Sequence, residues 1–213
     1  MIVILLGAPG AGKGTQADFL KLNKGFIKIS TGDLFRREIA AGTDLGKRVE
    51  DVVNKGSYVS DEILQELIKK VLAENLNLDV VLDGFPRTLP QATWLSQVAD
   101  ISAVIHIDTA RLELINRMKA RLSCSSCGAV YHVISKPSKV DGVCDICGGH
   151  LQVREDATEE RILHRLDVYE KQTLPVLDFY KKSKTYFRVD GNLGEKAVSK
   201  QIEGLLLELA KGT

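Results

Sequence analysis

The sequence predicts an α/β protein built on a doubly wound, five-stranded parallel sheet. Three observations predict it: short apolar runs recur with few charges, helical stripes lie between them, and the first run leads into a glycine-rich turn. Strands of a parallel sheet are covered on both faces, so they read as continuous apolar runs. The runs are 2–6, 26–29, 80–82, 103–107 and 186–189. In the segment 60–75, Ile63, Leu64, Leu67, Ile68, Val71 and Leu72 make one helical stripe. Ser60 is its expected N-cap, with Asp61 and Glu62 favourable in the first turn. Val198, Ile202, Leu205, Leu206 and Leu209 form a second stripe. Asp156-Ala157-Thr158-Glu159 resembles a capping signal for a helix running toward Thr173. The alternation implies right-handed crossovers and a ligand beyond the carboxyl ends of the strands.

Two stretches interrupt the alternation. Residues 30–59 carry helical pattern without a strand, and residues 120–157 carry Gly, Pro, Ser and every cysteine without a long amphipathic period. They read as inserts on one core made of 1–29, 60–119 and 158–213. Neither an internal repeat nor a low-complexity tract is present.

Composition narrows the function classes. The chain has 213 residues, 44% of them hydrophobic and 27% charged, which suits a folded domain with inserts and excludes a disordered chain. Its net charge of +1, from 29 basic and 28 acidic side chains, argues against a general nucleic-acid binder. No apolar run reaches the roughly 18 residues of a membrane span. The apolar start lacks a basic flank and is short for a secretory signal. A cytoplasmic location without a membrane partner is therefore expected.

Gly7-Ala8-Pro9-Gly10-Ala11-Gly12-Lys13-Gly14-Thr15 follows the first strand and opens a helix. Glycines let consecutive backbone N–H groups turn inward on an anion, and the helix N-terminus adds positive potential. Lys13 can reach the outer phosphates of a nucleotide. The residue after it is Gly14, where most such loops have a magnesium-binding Ser or Thr; Thr15 comes one later.

Arg36, Arg87, Arg121, Arg154 and Arg165 lie near element ends or in the inserts. A single arginine is usually a solvated surface charge. These sit in unusual neighbourhoods: Ser30-Thr31-Gly32-Asp33-Leu34-Phe35-Arg36 and Leu82-Asp83-Gly84-Phe85-Pro86-Arg87-Thr88. Arginine forks suit phosphate, and phosphoryl transfer needs positioning and charge neutralisation. Asp83, at the end of the third strand, is placed to hold magnesium through water; its other reading is a turn cap.

Cys124-Ser125-Ser126-Cys127 and Cys144-Asp145-Ile146-Cys147 are separated by 16 residues. This CxxC…CxxC spacing suits one tetrahedral zinc. Four thiolates leave no position for a catalytic water, so the zinc is expected to be structural. Gly128 and Gly148 fit just after the two turns. Two disulfides or free thiols are the alternative. His132 and His150 are nearby, but a four-sulfur site does not need them.

The phosphate loop, residues 30–36, the Asp83–Thr88 segment with Gln91, and the Arg117/Arg121 and Arg154/Arg165 pairs together resemble the adenylate kinase family, over essentially the whole chain. The four-cysteine insert resembles the zinc-binding lid of the long-form bacterial type. Lys136-Pro137-Ser138-Lys139 departs from that type's usual Asn-Pro-Pro-Lys. The resemblance implies a P-loop kinase fold and reversible, Mg2+-dependent transfer of the terminal phosphoryl of ATP to AMP, giving two ADP, for adenine nucleotide homeostasis. Gly14 after the lysine is normal for this family.

By resemblance, 30–59 is the monophosphate-binding insert. Thr31, Arg36, the backbone around Ser57, Tyr58 and Val59, the segment Gly84, Phe85, Pro86 and Arg87, and Gln91 would form the AMP site, Gln91 reading adenine. Gly10, Ala11, Gly12, Lys13, Gly14 and Thr15 would hold the ATP phosphates. Arg117, Arg121, Val130, Tyr131 and the backbone of Leu193 would lie on the ATP side. Lys13, Arg87, Arg121, Arg154 and Arg165 would carry catalysis, Arg154 and Arg165 also belonging to the AMP site and clamping the phosphates during transfer. A monomer is implied. Two competing readings are a UMP/CMP-type nucleoside monophosphate kinase and a P-loop switch or zinc-ribbon nucleic-acid binder. Neutral charge and the scarcity of aromatic or basic clusters in the cysteine insert oppose the latter.

Overall fold

A computed structural model describes residues 1–55, 57–153 and 157–211. The element order is β1 (Ile2–Leu6), α1 (Lys13–Lys24), β2 (Ile27–Ser30), α2 (Thr31–Ala40), α3 (Asp44–Asn54), α4 (Asp61–Glu74), β3 (Val80–Asp83), α5 (Leu89–Val98), β4 (Ala103–Asp108) and α6 (Arg111–Lys119). The lid strands β5 (Arg121–Cys124), β6 (Val130–His132) and β7 (Leu151–Val153) come next. The chain closes with α7 (Glu159–Val168), a π-helical turn (Tyr169–Thr173), α8 (Leu174–Lys181), β8 (Tyr186–Asp190) and α9 (Glu195–Lys211).

The main sheet is parallel, in the order β2-β3-β1-β4-β8. The chain steps out from β1 to the edge strand β2, returns to β3, then crosses β1 to reach β4. Its winding reverses at β1, and the crevice at such a reversal is where α/β sheets bind ligands. Leu5 of β1 registers with Asp83 of β3, so the loops after these strands emerge side by side.

Successive residues of β1 face opposite layers. Val3 and Leu5 join a buried cluster with Leu20 of α1, Leu114 of α6, Leu166 of α7 and Ile202 of α9. Ile4 and Leu6 join a second cluster with Phe35 of α2, Ile68 of α4, Leu95 of α5 and Leu177 of α8. Burial of this kind stabilises by roughly 25 cal/mol per Å2 and holds the loop ends to fixed positions. α7 therefore packs on one face of the sheet and α8 on the other, and the π turn between them carries the chain across.

Thr158 caps α7 by accepting from the Arg161 N–H at 3.4 Å. Asp156, the start of the expected capping signal, lies outside the described residues. Helical structure does not stop at Thr173; it passes through the π turn into α8, with Pro175 in the first turn of that helix. Ser60 occupies the N-cap position of α4, but its hydroxyl makes no cap hydrogen bond. The cysteine insert forms a three-stranded antiparallel sheet, β6-β5-β7, with Leu122 opposite Tyr131 and Val153.

Candidate functional site

The loop between β1 and α1 is shaped by its glycines. Gly10 has φ +88°, and a Cβ there would sit 2.9 Å from the Leu114 carbonyl oxygen and 3.1 Å from a Met118 carbon. Gly12, also in the left-handed region, is the N-cap of α1, and no side chain caps that helix. The helix begins at Lys13, whose side chain lines the crevice. Gly14 lies against Asp83: a Cβ on it would be 3.3 Å from an Asp83 carboxylate oxygen. The carboxylate at the end of β3 thus occupies the space where a larger residue would point.

Lys13 donates from Nζ to the carbonyl oxygens of Gly7 (2.7 Å) and Ala8 (2.9 Å). Burial pushes its ammonium down to about 7; the Asp83 carboxylate opposes this, while Arg87, Arg165 and Arg121 add to it. One ammonium therefore feels a carboxylate and three guanidinium groups at once. The cleft is lined by Gly7, Pro9, Lys13, Tyr58, Gly84, Pro86, Arg87, Arg165 and Tyr169. Such a gathering of positive charge in a partly desolvated crevice is costly without an anion, and suits the phosphates of two nucleotides.

The β3–α5 segment shapes one wall. The Phe85–Pro86 peptide is cis. Arg87 Nε donates to the Gly84 carbonyl at 2.6 Å, and Thr31 Oγ1 donates to the same oxygen at 3.0 Å. The guanidinium lies over the Tyr58 ring, 4.9 Å from its centroid. Gln91 is fully buried. Its Oε1 accepts from the Arg87 N–H at 2.7 Å and its Nε2 donates to Asp61 at 2.6 Å. Both ends of the amide that was expected to read adenine are thus engaged within the protein. Thr88 caps α5.

Arg36 pairs with Asp33 on the exposed side of α2. Burial raises the Asp33 carboxyl, but Arg36 and Lys28 outweigh it and hold the group below its usual range. Val59 is buried, and Ser57 Oγ lies 3.5 Å from His164 Nε2. Arg117 pairs with Glu113 one turn earlier at 2.7 Å, and Arg121 begins β5 opposite His132. Leu193 is 38% exposed in the β8–α9 loop. Val130 is 40% exposed on β6. Tyr131 is buried among Cys124, Cys144 and Leu151. Arg154 lies outside the described residues.

The cysteines form two matching turns. The N–H groups of Gly128 and Gly148 donate back to the carbonyls of Cys124 (3.0 Å) and Cys144 (2.9 Å), both glycines having positive φ. The four Sγ atoms lie within 4.8 Å of one another. Cys124 and Cys147 sulfurs are 3.4 Å apart, and those of Cys127 and Cys144 are 3.6 Å apart. Sulfurs at about 2.3 Å from a shared tetrahedral centre would be about 3.8 Å apart, so the donor set fits zinc. None of the four is in a disulfide, so of the alternatives the two disulfides are not formed. Burial disfavours the Cys144 thiolate, yet the Tyr131 O–H and the N–H groups of Cys147 and Ile146 hold it down to about 6. His132 stays out of the cluster; its Nδ1 accepts from the N–H groups of Ile134 and Ser135, each at 3.1 Å.

The family model for adenylate kinase matches residues 5–185. The chain belongs to the adenylate kinase family. It is 42% identical to an adenylate kinase of Methanocella arvoryzae over 99% of this chain and the whole of that protein. It is 42% identical to one of Archaeoglobus fulgidus, over 97% of this chain and 98% of the relative. A third, from Caldicellulosiruptor saccharolyticus, is 45% identical over 85% of this chain. The fold is the P-loop kinase fold with a zinc-ribbon-like lid, and the enzyme class is that of the nucleoside monophosphate kinases, which move phosphoryl groups between ATP and AMP. Membership in the adenylate kinase family favours phosphotransfer over the regulatory-switch and nucleic-acid readings. Among the described residues, no helix is long and apolar enough to cross a membrane.

Two features of this adenylate kinase site were not anticipated from sequence: Tyr169 in the cleft wall and Thr173 beside Arg87. Pro175 inside a helical pattern was the available signal, since proline removes a backbone donor and disturbs the turn before it.

Proposed function

We propose that this protein transfers the terminal phosphoryl of ATP to AMP, and back, in the cleft between the carboxyl ends of β1 and β3, with its residues in the following roles. The observation that carries this reading is the convergence of Lys13, Asp83, Arg87, Arg121 and Arg165 on one crevice. Gly10–Thr15 wrap the ATP phosphates with backbone N–H groups, and Lys13 neutralises their outer oxygens. Arg121 and Arg165 balance the charge that spreads over the moving phosphoryl. Arg87, braced by Gly84 and Gln91, grips the AMP phosphate, with Thr31 and Arg36 beside it. Arg154 joins Arg165 on the transferred group, and Arg117, Val130 and Leu193 line the ATP side.

With both substrates held in line, an AMP phosphate oxygen bonds to the γ-phosphorus as the bond to the ADP oxygen breaks. Asp83 would hold Mg2+ through water, and the ion would supply charge neutralisation for the ATP phosphates. Zinc, when bound, supplies four bonds that tie Cys124, Cys127, Cys144 and Cys147 into one body. The lid, 120–157, covers the ATP and keeps water from taking the phosphoryl; 30–59 forms the monophosphate side of the cleft, and the remainder is the core. The reading extends to a monomer in the cytoplasm acting on free nucleotides.

The test is a coupled assay for ADP at fixed Mg-ATP with AMP, CMP, UMP or GMP as acceptor. Turnover that depends on AMP, fastest with AMP, is the expected result. An absence of AMP-dependent turnover overturns the reading, and a preference for UMP or CMP moves the protein to the neighbouring specificity.

A further inference from the structure

Thr173 is a buried polar residue, 3% exposed, presented by the π turn where the chain crosses from one face of the sheet to the other. Its hydroxyl makes two hydrogen bonds. It donates to the Arg87 carbonyl oxygen at 2.8 Å. A threonine hydroxyl has one proton, so at its second contact, 2.9 Å from the Tyr58 hydroxyl, Thr173 accepts and Tyr58 donates. The other end of Tyr58 lies under the Arg87 guanidinium, 4.9 Å from ring centroid to Cζ. Thr173 thus fixes Arg87 twice, directly through its backbone and indirectly through the ring beneath its charged head.

We infer that Thr173 and the Tyr58 side chain are positioning residues for the AMP phosphate, acting through Arg87; this rests on the reading above that Arg87 grips that phosphate. Arg87 has other partners, Gly84 for its Nε and Gln91 for its N–H. The first, with a long 3.5 Å contact from Nη2 to Thr31 Oγ1, holds the edge of the guanidinium, and the second holds the main chain. The Tyr58 ring is what supports the face of the guanidinium, and a cation over an aromatic face is favoured in a partly desolvated cleft. Tyr58 belongs to the exit of the segment 30–59, whereas Thr173 belongs to the helical path of α7 and α8. Their bond sets where the monophosphate side of the cleft stands relative to the core.

The experiment measures KM for AMP, KM for ATP and kcat in Thr173→Val, Thr173→Ser, Tyr58→Phe, Tyr58→Leu and the Thr173→Val/Tyr58→Phe double variant, with melting curves for each. Thr173→Val keeps the shape and removes the hydroxyl; KM for AMP is expected to rise about fivefold while KM for ATP stays within about twofold. Thr173→Ser restores near-wild-type values. Tyr58→Phe raises KM for AMP about threefold and Tyr58→Leu, which removes the ring, raises it further. The double variant is no worse than Thr173→Val, because both changes remove the same bond. An unchanged KM for AMP in Thr173→Val and Tyr58→Phe overturns the inference. So does an equal loss for both substrates, or a Thr173→Ser variant as impaired as Thr173→Val, which would mean packing alone. If Thr173→Val does not fold, the half-buried Tyr58 pair of variants decides. A wild-type enzyme without AMP-dependent turnover overturns the functional reading and this inference together, whereas AMP turnover that is insensitive to these variants overturns only the inference.

Discussion

The phosphate cleft and the lid both gather reactive atoms within a few ångströms, but opposite forces hold them there. The cleft hangs from two large hydrophobic clusters, and β1 and β3, which deliver Lys13 and Asp83, contribute wholly buried residues to both. The lid has a buried cluster of four residues, and two of them, Cys124 and Cys144, belong to the four-sulfur group that could hold a metal. A sheet core can place like charges side by side because burial elsewhere offsets the repulsion. An insert this small has no such reserve, and on the zinc reading proposed above its shape depends on the metal.

The sharpest way to separate the two regions is to remove the central charge of one. Lys13→Met is expected to lower turnover about 10^3-fold, as loss of a key electrostatic contact does, with the melting midpoint unchanged or raised. The rise follows from relief of a buried, depressed ammonium. A variant that unfolded instead would show that the cleft, too, depends on its polar contacts. Next, Cys124→Ser with Cys144→Ser should lower the melting midpoint by about 10 °C, while kcat at 25 °C stays within about fivefold. Zinc chelation should have the same effect. A collapse of kcat at constant midpoint would break the contrast, because the lid would then be catalytic rather than structural.

A subtler measurement uses pH. Lys13 falls from an ordinary 10.5 to about 7 in the folded chain. From about pH 7 up to the ordinary lysine range the unfolded chain binds the extra proton, so stability gains from this group as pH rises through that window. Below pH 7 both states are protonated and the penalty is full. Phosphates restore the charged form, so ATP binding at pH 8 should take up to about one proton from buffer and almost none at pH 6. Calorimetry in buffers of different ionisation enthalpy reads this directly, and Lys13→Met should abolish it. The smallest effect belongs to Gly14→Ala. Its Cβ, 3.3 Å from Asp83, asks the carboxylate to give a few tenths of an ångström. KM for ATP should change by no more than about threefold in steady-state kinetics.

The same contrast explains what could be read from sequence. The strands, the phosphate loop and the cysteine turns are local patterns: apolar runs, glycines at fixed offsets, two CxxC pairs. Each is written in consecutive residues, and each formed where expected. What sequence does not give is where a side chain points once distant segments meet. Gln91 turns inward because Asp61, 30 positions earlier, accepts its amide. Tyr131 turns into the lid because Cys144 and the Asp145 N–H surround its hydroxyl. The helices α5 and α6 were not marked out, since Leu89–Val98 and Arg111–Lys119 lack a broad apolar stripe. Their starts are secured by Thr88 and, for α6, by Asn192, which accepts from the Ala110 N–H at 2.9 Å.

The crossing at residues 169–173 has a mechanical consequence. Because α7 is seated on one side of the sheet and α8 on the other, the segment between them is strung like a strap over an edge, anchored at both ends. Slack introduced at either anchor, under Leu166 or under Leu177, has to be taken up at the crossing itself, where Thr173 meets Arg87. The two halves of the hydrophobic interior therefore meet at this crossing, one through Leu166 and Tyr169 and the other through Val176 and Leu177.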